Sequence, residues 1–159
     1  MRNVLERAFS EAARVLAEFR ASEACLAAVE EAATRVASTL SSGGRVLACG
    51  NGGSLADAMH FAEEWTGRFR ADRRPYAVMA LSEPTHLTCV ANDYGFEYVF
   101  ARQVEAFGRP GDVLVVLSTT GNSPSIVEAA KAARRADMTV VGFLGRGGGH
   151  VAPLCDVVL

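Results

Sequence analysis

Apolar residues recur at helical spacing through the first forty residues, a stretch without Gly or Pro. They form two stripes in which every third or fourth residue is apolar. The members of the stripes are Leu5, Phe9, Ala12, Ala13, Leu16 and Phe19, followed by Leu26, Val29, Ala33, Val36 and Leu40. Gly43 and Gly44 end the second stripe, so the pattern predicts two long helices before any strand.

From residue 45 onward, short β-rich runs alternate with helical segments. The runs cover residues 45–49, 76–81, 112–117, 139–144 and 156–159, and the helical segments cover 54–66, 84–92, 96–107 and 124–136. The run at 113–117 is apolar at every position, as expected for a parallel strand covered on both faces. The alternation predicts an α/β protein with a five-stranded, doubly wound parallel sheet.

Composition narrows the class of protein. The chain has 159 residues, 50% of them apolar, which is typical of one globular domain. A formal net charge of -2 argues against a dedicated nucleic-acid binder, and no apolar run has the length of a membrane span. Charge comes too early at the N-terminus for a secretory signal. The four cysteines are scattered without a CxxC pair, so we expect reduced thiols in a cytoplasmic protein.

A glycine-rich loop, residues 49–54, lies where the first strand meets its helix. Gly52 and Gly53 let backbone amides approach a ligand, and Ser54 is positioned to cap the helix, with Asp57 three residues on. The helix N-terminus then suits an anion. A tight turn that binds nothing explains the glycines equally well. A dinucleotide fingerprint fits poorly, because Leu55 occupies its third glycine position and the acid that ends the second strand, Glu83, lies too far away.

A second loop, residues 118–124, follows the third strand and is crowded with hydroxyls. Ser123 fits the N-cap position and Pro124 the first helical position. Capping alone would account for one such loop. Because both loops open at the carboxyl ends of parallel strands, together they predict a site for a phosphorylated small molecule.

The helix that starts at the first loop carries a candidate acid–base pair. His60 and Glu64 share a face, which we expect to lie about one turn above the loop. Asp57 lies on the same side of the helix, and Glu63 lies next to that face, one residue before Glu64. Glu64 is a candidate general base, but His60 and Glu64 also have workable spacing for two ligands of a divalent metal. An exposed His–Glu ion pair without function remains the third alternative.

Two further polar features are candidates for the site. Asn92 and Asp93 follow a short helical segment, and they either face the cleft or form an ordinary turn. Arg68 follows the helix directly and is a candidate ligand contact. It also begins a basic run that is typical of an exposed loop: Arg68, Arg70, Arg73 and Arg74.

Four segments together resemble one family, the sedoheptulose 7-phosphate isomerases, also called phosphoheptose isomerases, of the sugar isomerase (SIS) superfamily. These segments are CGNGGS at 49–54, DAMHFAEE at 57–64, ANDYGF at 91–96 and STTGNS at 118–123. The resemblance spans essentially the whole chain. It implies a flavodoxin-like three-layer fold and one SIS domain over residues 1–159, with residues 1–42 used in oligomerisation and 43–159 forming the sugar-phosphate-binding core.

The resemblance also implies an activity. The family interconverts sedoheptulose 7-phosphate and D-glycero-D-manno-heptose 7-phosphate, an aldose–ketose isomerisation on the route to ADP- or GDP-heptose for lipopolysaccharide and other cell-envelope glycans. Matching the motifs makes Glu64 the catalytic acid–base. The positions that match substrate-binding positions or adjoin them are Asn51, Gly52, Gly53, Ser54, Glu64, Arg68, Asn92, Asp93, Ser118, Thr119, Thr120 and Ser123.

The resemblance further implies a homotetramer and one zinc ion per subunit, held in part by His60 and Glu64. The family continues into a helix with a Gln and a His that complete the site, so we expect the remaining ligands and a partner acid beyond Leu159. His150 precedes the last strand and is not that histidine.

Two other classes compete with the isomerase. A non-catalytic SIS module that binds sugar phosphates would share the loops, but a replication-initiator-binding relative of this type lacks an acid at the position of Glu64. A nucleotide-dependent enzyme is the third candidate.

Overall fold

The structure, a computed structural model, describes all residues from Met1 to Leu159. The chain forms six α-helices and five strands, and after the N-terminal helical pair the other four helices lie between the strands. The helices are α1 (Arg2–Ala21), α2 (Glu23–Ser41), α3 (Gly53–Thr66), α4 (Pro84–Asp93), α5 (Ala101–Phe107) and α6 (Pro124–Arg135). The strands are β1 (Val46–Gly50), β2 (Val78–Ala80), β3 (Val113–Ser118), β4 (Thr139–Leu144) and β5 (Val157–Val158).

All five strands pair in parallel in the order β2-β1-β3-β4-β5. The predicted α/β class and five-stranded parallel sheet are therefore confirmed. The order reverses between β1 and β3, where Val46 pairs with Val113 and Gly50 pairs with Leu117. In open parallel sheets such a reversal is where ligands bind, at the carboxyl ends of the strands.

Alternating strand residues build a core on each face of the sheet. Leu47 and Leu114 point into a core shared with α4, α5 and α6, whereas Val46 and Val113 point into a core shared with α2 and α3. The central strands β1 and β3 are buried nearly throughout because helices cover both faces of the sheet there, which is the physical origin of their unbroken apolar runs. The two layers of helices thus hold the strand ends in fixed positions.

The segment predicted as one helix at 96–107 is two elements. A 3₁₀ turn covers Phe96–Tyr98 and α5 begins only at Ala101. Val99, Phe100 and Ala101 are all buried. Val99 and Phe100 form the connection between the two elements, and Ala101 begins α5.

The helix α1 has no buried residue. Its exposed side chains include Phe9, which is 74% exposed, and Leu16, which is 61% exposed. The apolar stripe of α1 is therefore uncovered within one chain. No helix of the protein combines the length and the apolar character needed to cross a bilayer.

Candidate active site

A small polar cleft lies where β1 and β3 end. Its cavity volume is about 40 Å³, and its lining comprises Asn51, Ser54, Leu117, Ser118, Thr119 and Ser123. Five of these six residues carry hydrogen-bonding side chains. Both α3 and α6 start beside the cleft, so the positive ends of two helix dipoles point at the same small space.

The two loops are tied together by a side-chain hydrogen bond. Asn51 Nδ2 in the first loop donates to Ser125 Oγ in the first turn of α6, at 2.9 Å. Ser125 is buried. Sequence reasoning did not single out Ser125, although the run of hydroxyls that begins at Ser118 continues to it. The bond fixes the spacing of the loops across the cleft.

The first loop depends on two glycines. Gly52 has a φ of +55° and is the N-cap of α3, so the helix starts one residue before Ser54. A Cβ on Gly50 would lie 2.6 Å from the Ser54 carbonyl carbon. The expectation that Ser54 caps the helix is therefore wrong. Because Gly52 supplies the turn, the Ser54 side chain stands in the first turn of α3 and lines the cleft instead.

The second loop folds on its own hydroxyls. Ser118 Oγ accepts from Gly121 N at 3.0 Å, and Thr120 Oγ1 accepts from Asn122 N at 3.2 Å. Both hydroxyls keep their protons available as donors. Ser123 is the N-cap of α6, as expected, but its side chain makes no capping hydrogen bond. The loop thus presents hydroxyl donors to an anion.

A glycine-rich segment after β4 supports the second loop from behind. Gly145 N donates to Ser118 O, and Val151 N donates to Gly121 O, both at 3.0 Å. Gly121 has a φ of +64°, and a Cβ there would lie 1.9 Å from Gly148 O. The loop can therefore keep its shape only with glycine at this position.

The acid–base pair lies further along α3. His60 Nε2 and Glu64 Oε1 are 3.1 Å apart, and the side chain of Glu64 is 31% exposed against 72% for His60. Glu63 joins them in a cluster whose potential ligand atoms all lie within 4.8 Å of one another. An imidazole nitrogen with carboxylate oxygens is a donor set that zinc accepts, so these residues fit the metal.

The pair is further from the cleft than one helical turn. Ten residues separate Ser54 from Glu64, which places their Cα atoms ~15 Å apart along the helix axis. Glu64 stands in the last turn of α3, whereas the cleft lies at its first turn. The expected separation of one turn is therefore wrong, and the two functional ends of α3 are nearly three turns apart.

Seven of the twelve predicted substrate-binding residues do not line the cleft within one chain: Gly52, Gly53, Glu64, Arg68, Asn92, Asp93 and Thr120. Arg68 is exposed beyond the end of α3. Asn92 and Asp93 form the exposed last turn of α4, where Asn92 Nδ2 donates to Asp93 Oδ1 at 2.8 Å. Their contact with a ligand stays a prediction.

Two other reactive groups lie near this end of the sheet, the Cys49 thiol and the Glu83 carboxyl, and neither is available for chemistry. Burial raises the pKa of the Cys49 thiol to about 12, so it stays protonated beside the first loop. Glu83 caps α4, accepting hydrogen bonds from His86 N and Thr85 N, and these bonds lower the pKa of its carboxyl. Glu83, the acid compared above with the ribose-binding acid of dinucleotide sites, therefore has a structural role as a helix cap.

A larger groove lies between α2, α3 and the sheet. Its ten lining residues are all hydrophobic, among them Val36, Trp65, Val141 and Phe143. Such a surface offers no hydrogen-bond partner to a phosphate. The polar cleft is therefore the better candidate for the phosphate site, despite its smaller size.

The chain is similar to known proteins along most of its length. The family model of the SIS domain matches residues 9–145. The phosphoheptose isomerase of Tolumonas auensis is 53% identical over 146 residues, which cover 92% of this chain and 76% of that protein. This chain belongs to the phosphoheptose isomerase family of SIS-domain proteins.

Solved structures of the phosphoheptose isomerase family have the same fold. The phosphoheptose isomerase of Neisseria gonorrhoeae superposes with a TM-score of 0.92 at 42% identity, over 99% of this chain and 83% of that one. The Francisella tularensis phosphoheptose isomerase also gives 0.92, at 32% identity, over 98% of this chain and 83% of that one. The flavodoxin-like SIS fold expected from the sequence is confirmed.

The dependence of the cleft on Gly121 is directly testable. We expect Gly121→Ala to lower the unfolding midpoint and to weaken sugar-phosphate binding, because the added Cβ collides with Gly148 O. Gly111→Ala is the matched control: Gly111 has a φ of +86° but nothing within 4 Å of its Cβ position, so only the backbone strain of about 1 kcal/mol remains. Urea unfolding and calorimetric titration measure both effects. Equal losses in the two variants would contradict the collision.

Proposed function

We propose that this protein interconverts sedoheptulose 7-phosphate and D-glycero-D-manno-heptose 7-phosphate. The observation that carries the proposal is the placement of a phosphate-sized polar cleft at the first turn of α3 and of the Glu64 carboxylate at its last turn. The relatives named phosphoheptose isomerase support the same activity.

The length of α3 suits a seven-carbon sugar phosphate. An extended chain of seven carbons with its phosphate spans ~10 Å, from bonds of about 1.5 Å. The Ser54 and Glu64 Cα atoms are ~15 Å apart along the helix axis, and helical side chains lean back toward the N-terminus by several ångströms. With the phosphate in the cleft, a seven-carbon chain therefore covers most of the distance to Glu64. A three-carbon substrate held by its phosphate would fall short.

Isomerisation moves one hydrogen between neighbouring carbons. Glu64 removes a proton from C1 of the ketose, the electron pair forms the C1–C2 double bond of an enediolate, and the same carboxylate returns the proton to C2. The hydroxyl proton moves from O1 to O2, so C1 is oxidised as C2 is reduced and no external oxidant is needed. General base catalysis of this kind is typically worth 10²–10⁴-fold in rate.

The phosphate contacts place the reacting carbons. Ser118 and Ser123 offer hydroxyl donors, and the first turns of α3 and α6 add unpaired amides. Hydrogen bonds to a charged phosphate are stronger than those between neutral groups. Because the phosphate is held at a distance from the reacting carbons, binding it places C1 and C2 of the sugar beside the base in a fixed geometry.

Zinc is part of the proposal. His60 and Glu64 would hold it, with Glu63 near enough to assist. When bound, zinc supplies Lewis-acid polarisation of the sugar carbonyl.

We expect His60→Ala to lower the zinc content measured by elemental analysis, and an unchanged content would contradict this site.

A homo-oligomer, specifically a tetramer, completes the proposal. The uncovered stripe on α1 supports it, because large apolar side chains such as Phe9 and Leu16 stand more than half exposed on the isolated chain. The four free cysteines are consistent with work in the reducing cytoplasm, where the product feeds nucleotide-activated heptose for envelope glycans. The binding-module alternative is not favoured, since the relatives are isomerases and Glu64 is present.

Glu64→Gln tests the proposed base. It removes the proton acceptor but keeps the shape, so we expect kcat to fall by about 10²–10⁴-fold while substrate still binds. Glu30→Gln, which neutralises an exposed acid on α2 away from the cluster, should keep most activity. Steady-state kinetics and calorimetric titration measure both quantities. Wild-type turnover in Glu64→Gln would contradict the assignment.

The phosphate cleft is tested with Ser118→Ala and Ser123→Ala. Each removes one hydroxyl donor to a charged group, worth about 1.5–3 kcal/mol, so we expect KM to rise at least ~10-fold. Ser38→Ala changes an exposed serine on α2 and serves as the control. Unchanged affinity in both cleft variants would place the phosphate elsewhere.

The oligomer surface is tested with Phe9→Glu. A charge in the apolar stripe of α1 should disrupt assembly and lower the sedimentation coefficient. Arg7→Glu introduces the same side chain on another face of α1 and should leave assembly intact. An unchanged sedimentation coefficient for Phe9→Glu would exclude this surface.

A further inference from the structure

Arg73 binds the end of the helix that carries Glu64. It lies in the connection between α3 and β2 and is half-buried. Its Nη2 donates to the Glu64 main-chain oxygen at 2.5 Å, and its Nη1 donates to the Trp65 main-chain oxygen at 2.8 Å and to Arg74 O at 3.0 Å. One guanidinium therefore holds two consecutive carbonyls of α3.

These carbonyls have no partner within their own helix. The last four carbonyls of an α-helix lack intrahelical donors. At this helix end, Gly67 N donates to Glu63 O and Tyr76 N donates to Trp65 O, but the Glu64 carbonyl receives its hydrogen bond from Arg73 alone. A cation at this position also complements the negative end of the helix dipole.

Two aromatic rings fix the orientation of the guanidinium. Arg73 Cζ lies 5.6 Å from the centre of the Trp65 ring and 5.1 Å from that of Tyr76. The two rings contact each other edge to face at 5.9 Å. Planar stacking and a rigid fork of donors are properties of Arg that Lys does not share.

The other arginines of this connection make no such contact. Arg68 and Arg70 are exposed, and Arg74 stacks on Tyr76 at 5.0 Å without a side-chain hydrogen bond to α3. Arg74 therefore shares the charge and an aromatic neighbour of Arg73 but not the carbonyls. It is a matched control.

We propose that Arg73 is a positioning residue for proton transfer, holding the main chain of Glu64 so that the carboxylate meets C1 and C2 of the bound sugar. The proposal rests on the proposed function of Glu64. A misplacement of ~1 Å at a reacting group costs up to about 100-fold in rate. Arg73 lies at the opposite end of α3 from the phosphate cleft, so its loss should act on turnover rather than on binding.

The experiment compares Arg73→Met, Arg73→Lys and Arg74→Met in the full chain. Isomerisation of sedoheptulose 7-phosphate is measured well below the lowest unfolding midpoint, so that every protein assayed is folded. We expect kcat of Arg73→Met to fall at least ~10-fold with KM within about threefold of wild type. Arg73→Lys should fall between Arg73→Met and wild type, since an ammonium cannot reproduce the fork, and Arg74→Met should match wild type.

Chemical rescue of kcat by added guanidinium ion distinguishes a positioning role of Arg73 from a purely structural one. Guanidinium ion at low millimolar concentration should raise kcat of Arg73→Ala without changing KM or its circular dichroism spectrum, and ammonium ion should not. If Arg73→Met does not fold, Arg73→Lys decides the question. Wild-type kcat in Arg73→Lys would then overturn the proposal.

The outcomes also separate this proposal from the proposed function. An inactive Glu64→Gln together with a kcat within twofold of wild type in Arg73→Met would overturn only the role of Arg73. Equal losses in Arg73→Met and Arg74→Met, or a rise in KM with kcat unchanged, would overturn it as well. Full turnover in Glu64→Gln would remove the proposed base, and the role of Arg73 with it.

Discussion

Strands β1 and β3 lie side by side, but the chain leaves them toward opposite edges of the sheet. No helix can then close the space between their carboxyl ends, and two helices must begin beside it. The polar cleft, the paired loops and the convergence of the α3 and α6 dipoles all follow from this single reversal of strand order. The hydroxyls of the second loop and the amides of both helices make the space suitable for a phosphoryl group.

Helix α3 connects the two halves of the site. Its first turn lines the cleft, and its last turn carries Glu64 beside His60. A rigid helix sets the distance between them only if both of its ends are fixed. Gly50 permits close contact of the first turn with β1, and Arg73 holds the last turn. In the proposed site, the length of the substrate is therefore matched to helix α3 rather than to a flexible loop.

The sequence predicted the features that depend on local chemistry. Apolar periodicity located the helices and strands, and the glycine and hydroxyl loops located the cleft, because caps and turns are decided by a few neighbouring residues. Packing decided the rest. Val99 and Phe100, both buried, separate the 3₁₀ turn from α5 within a segment predicted as one helix. Gly52, with its positive φ, is the N-cap of α3, so the helix begins at Gly53 and Ser54 does not cap it.

Long-range contacts were beyond sequence reasoning. The bond from Asn51 to Ser125 joins residues 74 positions apart, and no local pattern signals it. Arg73 belonged to a basic run typical of an exposed loop, and only the fold brings its guanidinium between Trp65 and Tyr76. The separation of Glu64 from the cleft, by contrast, was within reach of the sequence, because ten positions of the helix predicted at 54–66 rise ~15 Å.

A crystal structure of the inactive Glu64→Gln protein with sedoheptulose 7-phosphate tests the central claim most directly. The predicted result has the phosphoryl oxygens within hydrogen-bond distance of Ser118 and Ser123, and C1 and C2 beside the side chain at position 64. A phosphate bound outside the cleft, or a sugar whose first two carbons lie away from that side chain, would contradict the proposed chemistry.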